Sequence, residues 1–137
     1  MSESEKGKGN VCIVDDDVFL LDMYNLKFQQ AGYAVSCFTE SAKAVEDLRA
    51  HGSTYTALLL DLVMPQKDGY EVLKEVREEN LVSDKTVVVV LSNQGQEHDI
   101  SRAEEYGIDG YLVKANTLPS EVLAYVSNLI EKKRAKH

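Results

Sequence analysis

Tryptophan is absent from this chain of 137 residues, and only two cysteines and two prolines occur in it. Cys12 and Cys37 offer neither metal-site spacing nor a disulfide framework, which points to a reducing cytoplasm. Both fall in apolar, strand-like segments, where a free cysteine behaves as a small buried hydrophobe. No run approaches the ~20 apolar residues of a membrane span. Residues 1–9 lack the apolar centre of a signal peptide and read as a polar, disordered lead-in. Basic residues are also in deficit, 15 against 23 acidic, for a net charge of −8. The end of the chain, Glu131 to His137, sums to +3, so the body before it carries −11. An acidic body excludes nucleic acid as the main partner, since phosphates require a basic face. The basic tail, 132–137, reads as a solvated helix end whose cations suit the helix dipole.

Apolar residues make up 44% and charged residues 28%, ordinary values for one globular domain of this length. Short apolar runs at Val11–Val14, Tyr33–Phe38, Thr56–Leu60, Thr86–Leu91 and Asp109–Val113 read as strands. Segments of helical periodicity separate them. These run from Val18 to Ala31, with Leu21, Tyr24 and Phe28 inward; from Ser41 to His51, with Ala42, Val45 and Leu48; and from about Lys67 to Glu78, with Tyr70, Val72, Leu73 and Val76. A polar helix follows from Glu97 to Tyr106, and a last one from Pro119 to about Lys133 carries Val122, Tyr125, Val126, Leu129 and Ile130. The fold class is therefore α/β: a single doubly wound, five-stranded parallel sheet with five helices. A flavodoxin-like strand order of 2-1-3-4-5 would set the ends of the first and third strands beside the switch point, where ligands bind.

Those two strand ends carry acids. Asp15-Asp16-Asp17 follows the first strand, and Asp61 follows Leu58-Leu59-Leu60. Helix capping explains Asp17 alone; three carboxylates packed beside Asp61 repel one another unless a hard cation such as Mg²⁺ joins them. Ser92 closes the fourth strand and Lys114 the fifth, a hydroxyl donor and a point cation for the same crevice. Together they suit a phosphoryl group held on Asp61.

Order, spacing and strand-end positions resemble the receiver domain of two-component response regulators, over residues 10–131. The marks are Ile13-Val14-Asp15-Asp16-Asp17, Leu60-Asp61-Leu62-Val63-Met64-Pro65 with Asp68-Gly69, Leu91-Ser92, and Gly110-Tyr111-Leu112-Val113-Lys114. The resemblance implies that Asp61 accepts a phosphoryl group from a sensor histidine kinase or a histidine phosphotransfer protein. It implies a Mg²⁺ site of Asp15, Asp16, Asp61 and the Val63 backbone carbonyl, with Asp16 a direct ligand and Asp15 acting partly through water. Lys114 would pair with the phosphoryl oxygens, Ser92 would be the switch hydroxyl, and Tyr111 the aromatic that follows it. Such a domain is a phosphorylation-dependent switch, not a turnover enzyme. It catalyses only its own phosphoryl transfer and hydrolysis, and an unknown downstream protein reads strands four and five with helices four and five. It would be cytoplasmic, without membrane contact, and a monomer or a phosphorylation-dependent dimer.

Two positions depart from the family pattern. Ala115 follows Lys114 where proline is usual, and Asn93 follows Ser92 where a small residue is usual. The rival reading is a receiver-like binding or scaffold module that is never phosphorylated; the intact acids, Ser92 and Lys114 argue against it. An aspartyl phosphohydrolase would need a second aspartate where Val63 stands. His51, His98 and His137 read as surface residues without carboxylate partners.

Overall fold

The computed structural model describes residues 7–64 and 68–136. Its sheet contains β1 (Gly9–Val14), β2 (Tyr33–Phe38), β3 (Ala57–Leu60), β4 (Val87–Ser92) and β5 (Gly110–Val113). All pairings are parallel and the order is β2-β1-β3-β4-β5, the flavodoxin-like topology expected from the alternating pattern. The helices are α1 (Val18–Gln30), α2 (Ser41–His51), α3 (Gly69–Glu78), α4 (Glu97–Glu104) and α5 (Pro119–Lys136), with short 3-10 turns at Gly52–Thr54 and Lys114–Asn116.

Strand periodicity divides the core in two. Cys12, Val14, Leu58, Leu60, Val88 and Val90 face α2, α3 and Ala103 of α4. Their neighbours Val11, Ile13, Leu59, Val87, Val89 and Leu91 face Leu21, Tyr24 and Phe28 of α1 and Val122, Val126 and Ile130 of α5. Because β1, β3 and β4 are covered on both faces, their sequences are continuously apolar instead of alternating. Phe28 and Tyr33 meet edge to face at 5.7 Å and tie α1 to β2.

Several local expectations are corrected. The buried stripe of α2 is Ser41, Ala44, Val45 and Leu48; Ala42 is exposed, one position off the i, i+3, i+4, i+7 face. α3 begins at Gly69, with Asp68 as its cap through a bond from the Glu71 N–H at 3.0 Å; the expected start at Lys67 lies outside the described residues. Cys37 is exposed, unlike Cys12, because β2 is an edge strand that pairs only with β1. The expected disordered lead-in is ordered at its end. Gly9 belongs to β1, and the Lys8 N–H donates to the Gly32 carbonyl at 3.3 Å; residues 1–6 lie outside the described residues.

The tail is not simply solvated either. α5 continues to Lys136, and Lys133 Nζ lies 3.0 Å from both Asp109 carboxylate oxygens and from the Thr86 carbonyl. Arg134 donates to the Lys8 carbonyl. His51 and His98 are exposed, although the His98 ring does meet a carboxylate, Asp99 Oδ1, at 3.2 Å; His137 lies outside the described residues. No helix among the described residues is long and apolar enough to cross a membrane.

Candidate functional site

Ladder bonds continue past the strand ends and set the acids side by side. The Asp15 N–H donates to the Phe38 carbonyl at 3.0 Å, and the Asp61 N–H donates to the Val14 carbonyl at 3.0 Å. Asp15 and Asp61 are almost fully buried, 1% and 5% exposed, while Asp16 is open to solvent. Asp17 caps α1 by accepting the Leu20 N–H at 3.2 Å, as its position after β1 implies.

Between the two buried carboxylates sits the Lys114 ammonium, 2.7 Å from Asp15 Oδ2 and 2.9 Å from Asp61 Oδ2. β5 delivers it: Val113 pairs with Ser92 of β4, and the 3-10 turn that follows points Lys114 back across the strand ends. The Lys114–Ala115 bond is trans. The remaining oxygens have backbone partners. Asp15 Oδ1 accepts the Asp17 N–H at 2.9 Å and Asp61 Oδ1 accepts the Val63 N–H at 3.2 Å.

Electrostatics follow from burial. Desolvation raises the Asp15 carboxyl above the ordinary aspartate value, against the opposing pull of Lys114 and the Asp17 N–H. For Lys114, burial works downward, but the bonds and charges of Asp15 and Asp61 outweigh it and the ammonium is held above its usual value. The lysine is thus kept charged where charge is needed.

Gly69 is required by this packing. A Cβ there would stand 2.3 Å from the Asp61 carbonyl oxygen and 2.6 Å from the Leu62 Cα, so α3 begins directly on the backbone of Asp61.

The residues singled out from the sequence fall into two groups. Asp15, Asp16 and Asp61 converge, each offering an oxygen within 4.8 Å of the others. A cleft of about 290 Å³ above them is bordered by Asp16, Asp17, Asp61, Val63, Asn93 and Lys114. An all-oxygen, acid-rich set opening on solvent fits a hard divalent cation such as Mg²⁺ better than a soft metal. Ser92 and Tyr111 stand apart from this group. Ser92 is fully buried, and its hydroxyl accepts the Gln94 N–H at 3.2 Å; Tyr111, half-buried in β5, donates its hydroxyl to the Gln94 carbonyl. Burial, with Tyr70 and Asp99 close by, pushes the Tyr111 phenol up to about 12.

Sequence reasoning did not find the Val63 N–H, a main-chain group that residue types do not reveal. Tyr24, read from the sequence only as an inward residue of its helix, is buried within reach of the cluster's charges, and its phenol is pushed up to about 12 by burial, with Lys114 opposing and Asp15 adding to the shift. Its place on the α1 stripe was the available signal.

Fold and site define a doubly wound α/β domain with an acidic, lysine-bridged cleft at its switch point. The response regulator receiver domain model matches residues 11–126, and the chain belongs to that family. Among curated relatives, the response regulator SaeR of Staphylococcus aureus is 29% identical over 128 residues, which are 93% of this chain and 53% of SaeR. The chain therefore spans about half the length of the curated relatives it matches. Among solved structures, the BeF3-activated receiver domain of DrrB from Thermotoga maritima superposes with a TM-score of 0.76 at 26% identity, covering 90% of this chain and 97% of that one. A receiver domain protein from Methanospirillum hungatei reaches 0.83 at 17% identity, covering 94% and 98%, and speaks to the fold alone.

Proposed function

We propose that this receiver domain is a phosphorylation-dependent switch in which Asp61 accepts a phosphoryl group from a phosphohistidine of a sensor histidine kinase or a histidine phosphotransfer protein. One observation carries the reading: a single ammonium, Lys114, bridges two buried carboxylates, one of which, Asp61, also borders the open cleft. An Asp61 oxygen forms the new bond to phosphorus as the phosphorus–nitrogen bond to imidazole breaks, and the imidazole leaves with the electron pair and takes up a proton. Lys114 then pairs with the added charge, and the Val63 N–H keeps the carboxyl oriented. Water later attacks phosphorus, releases inorganic phosphate and restores the carboxylate, so the protein resets itself.

Asp15, Asp16, Asp61 and the Val63 carbonyl would hold Mg²⁺. The ion, when bound, neutralises charge that develops on the transferring oxygens. The convergence of Asp15, Asp16 and Asp61 supports this assignment.

Ser92 and Tyr111 form the switch. Both already hold Gln94, one at its N–H and the other at its carbonyl. Reorientation of Ser92 toward a phosphoryl group would release that residue and alter the surface of β4, β5, α4 and α5, which a downstream protein or a second copy of the chain reads.

The donor's docking surface is supported by the distribution of exposed apolar side chains. Among the described residues the large ones are Val18, Phe19, Met23, Leu26, Val63 and Leu118, all on α1 or on loops leaving β3 and β5. Phe19, Met23 and Leu26 recur at i, i+4 and i+7, the spacing that receives a partner helix. The setting is cytoplasmic, where histidine kinases present their phosphohistidine. Incubation with Mg²⁺ and phosphoramidate, beside Asp61→Ala, tests the reading. Mg²⁺-dependent labelling of the wild type alone supports it, and equal labelling of both proteins removes it.

A further inference from the structure

α4 is weakly rooted in the core. Ala103 is its one buried side chain. What holds it at both ends comes from α3. The buried Tyr70 donates its hydroxyl to the carbonyl of Asp99, in the first turn, at 3.1 Å, and the guanidinium of Arg102, in the last turn, lies 3.8 Å above the centre of the same ring. Just past the C-terminal end, Arg77 donates to the carbonyls of Tyr106 at 2.6 Å and Gly107 at 2.8 Å, holding the turn that leaves the helix. Tyr70 and Arg77 are two turns apart, so one face of α3 carries both fasteners.

The other end of this connection is Asp61. α3 begins on the acceptor's backbone, where the Gly69 N–H donates to the Leu62 carbonyl at 2.9 Å and no side chain fits. The next residue is Tyr70. Leu62, Val63, Met64 and Asp68 from the acceptor's loop and Gln94, Asp99 and Arg102 from the α4 side border a single cleft, and Tyr70 stands between the two sets.

We propose that α3 is a second connection from Asp61 to α4, beside the Ser92–Tyr111 pair, and that Tyr70 with Arg102 is a latch holding α4 in its unmodified position. The proposal rests on Asp61 being the phosphoacceptor. A charge added to Asp61 displaces the backbone on which Gly69 is seated. Because α3 is fixed by its own buried face of Val72, Leu73 and Val76, the displacement is felt at Tyr70, where the fasteners are one neutral hydrogen bond and one solvent-facing cation–π contact. Contacts of that strength shift a two-state equilibrium by about five-fold.

The test uses the whole chain with BeF3⁻ and Mg²⁺ as the probe. Fluorine NMR gives the half-saturation concentration, and amide exchange follows residues 97–104. Tyr70→Phe and Arg102→Gln are each expected to lower half-saturation about five-fold. Each should also bring α4 exchange in the free protein toward that of the BeF3⁻-bound wild type. Arg102 is exposed, so Arg102→Gln keeps the test valid if the buried tyrosine proves necessary for folding. Unchanged half-saturation with an unchanged α4 response in Arg102→Gln overturns the latch. Absence of any adduct on the folded wild type overturns the assignment of Asp61 instead.

Discussion

Lys114 Nζ lies 2.9 Å from Asp61 Oδ2, across 53 residues of sequence, and holds Asp15 in the same grip. All three side chains are nearly inaccessible, so each carboxylate depends on this one ammonium for its charge balance. Removing one member of a buried charge cluster leaves the others uncompensated, at a cost of about 3–5 kcal/mol. Lys114→Met should therefore lower stability by that order in metal-free buffer, measured by urea unfolding followed by circular dichroism. Mg²⁺ should restore more stability to the variant than to the wild type, because a bound cation takes over part of the lysine's role. Equal Mg²⁺ responses would count against a metal site at these acids.

Asn93 borders the cleft beside Asp61 and is itself exposed. It lines the cleft through which a hydrolytic water would reach an acyl phosphate on Asp61. Asn93→Ala is expected to shorten the lifetime of the acyl phosphate several-fold while leaving unfolding unchanged. Decay of labelled protein after donor removal measures it, and an unchanged rate would sink the idea.

Phe19 is 84% exposed on α1, in the stripe assigned to the donor. Phe19→Ser should reduce phosphotransfer from a histidine kinase by about tenfold or more, the scale of a docking anchor. Labelling by phosphoramidate, which needs no docking, should stay at the wild-type rate. A loss with both donors would show that the substitution acts on the chemistry.

Cys37 is exposed, yet partial desolvation and the nearby Asp22 carboxylate push its thiol up to about 11. The thiolate is the reactive form, so raising the pKa leaves little of it at neutral pH. Alkylation of the folded protein by iodoacetamide should modify Cys37 alone, its rate rising about tenfold per pH unit above neutrality and levelling near pH 11. Cys12 is fully buried, its thiol also raised by burial, and should react only on unfolding. Mass spectrometry of the modified peptides decides between the two.

Much of this was legible in the chain because the buried strands write themselves plainly. Val87–Leu91 has no polar residue to alternate with, since β4 lies between two strands and under two helical layers. The acids at Asp15, Asp16 and Asp61 and the lysine at Lys114 were legible for a related reason: charge at the end of a buried strand has to be explained. The exposure of Cys37 was not, because the run from Tyr33 to Phe38 does not say which strand forms the edge. The role of Gly69 at the start of α3 was not legible either, because glycine reads locally as a turn residue, whereas its requirement comes from contact with Asp61. Lys133 was read as solvated because its partners, Asp109 and Thr86, are 24 and 47 residues away. The clamp on α4 escaped notice for the same reason, as Tyr70 meets Asp99 only after the sheet has formed.

The central claim is that Asp61 carries the phosphoryl group. Borohydride reduction of protein treated with phosphoramidate and Mg²⁺, followed by peptide sequencing, tests it directly, since an aspartyl phosphate is reduced to homoserine. The account predicts homoserine at position 61, dependent on Mg²⁺. Homoserine at Asp15 or Asp16, or none at all in protein shown to be folded, would contradict it.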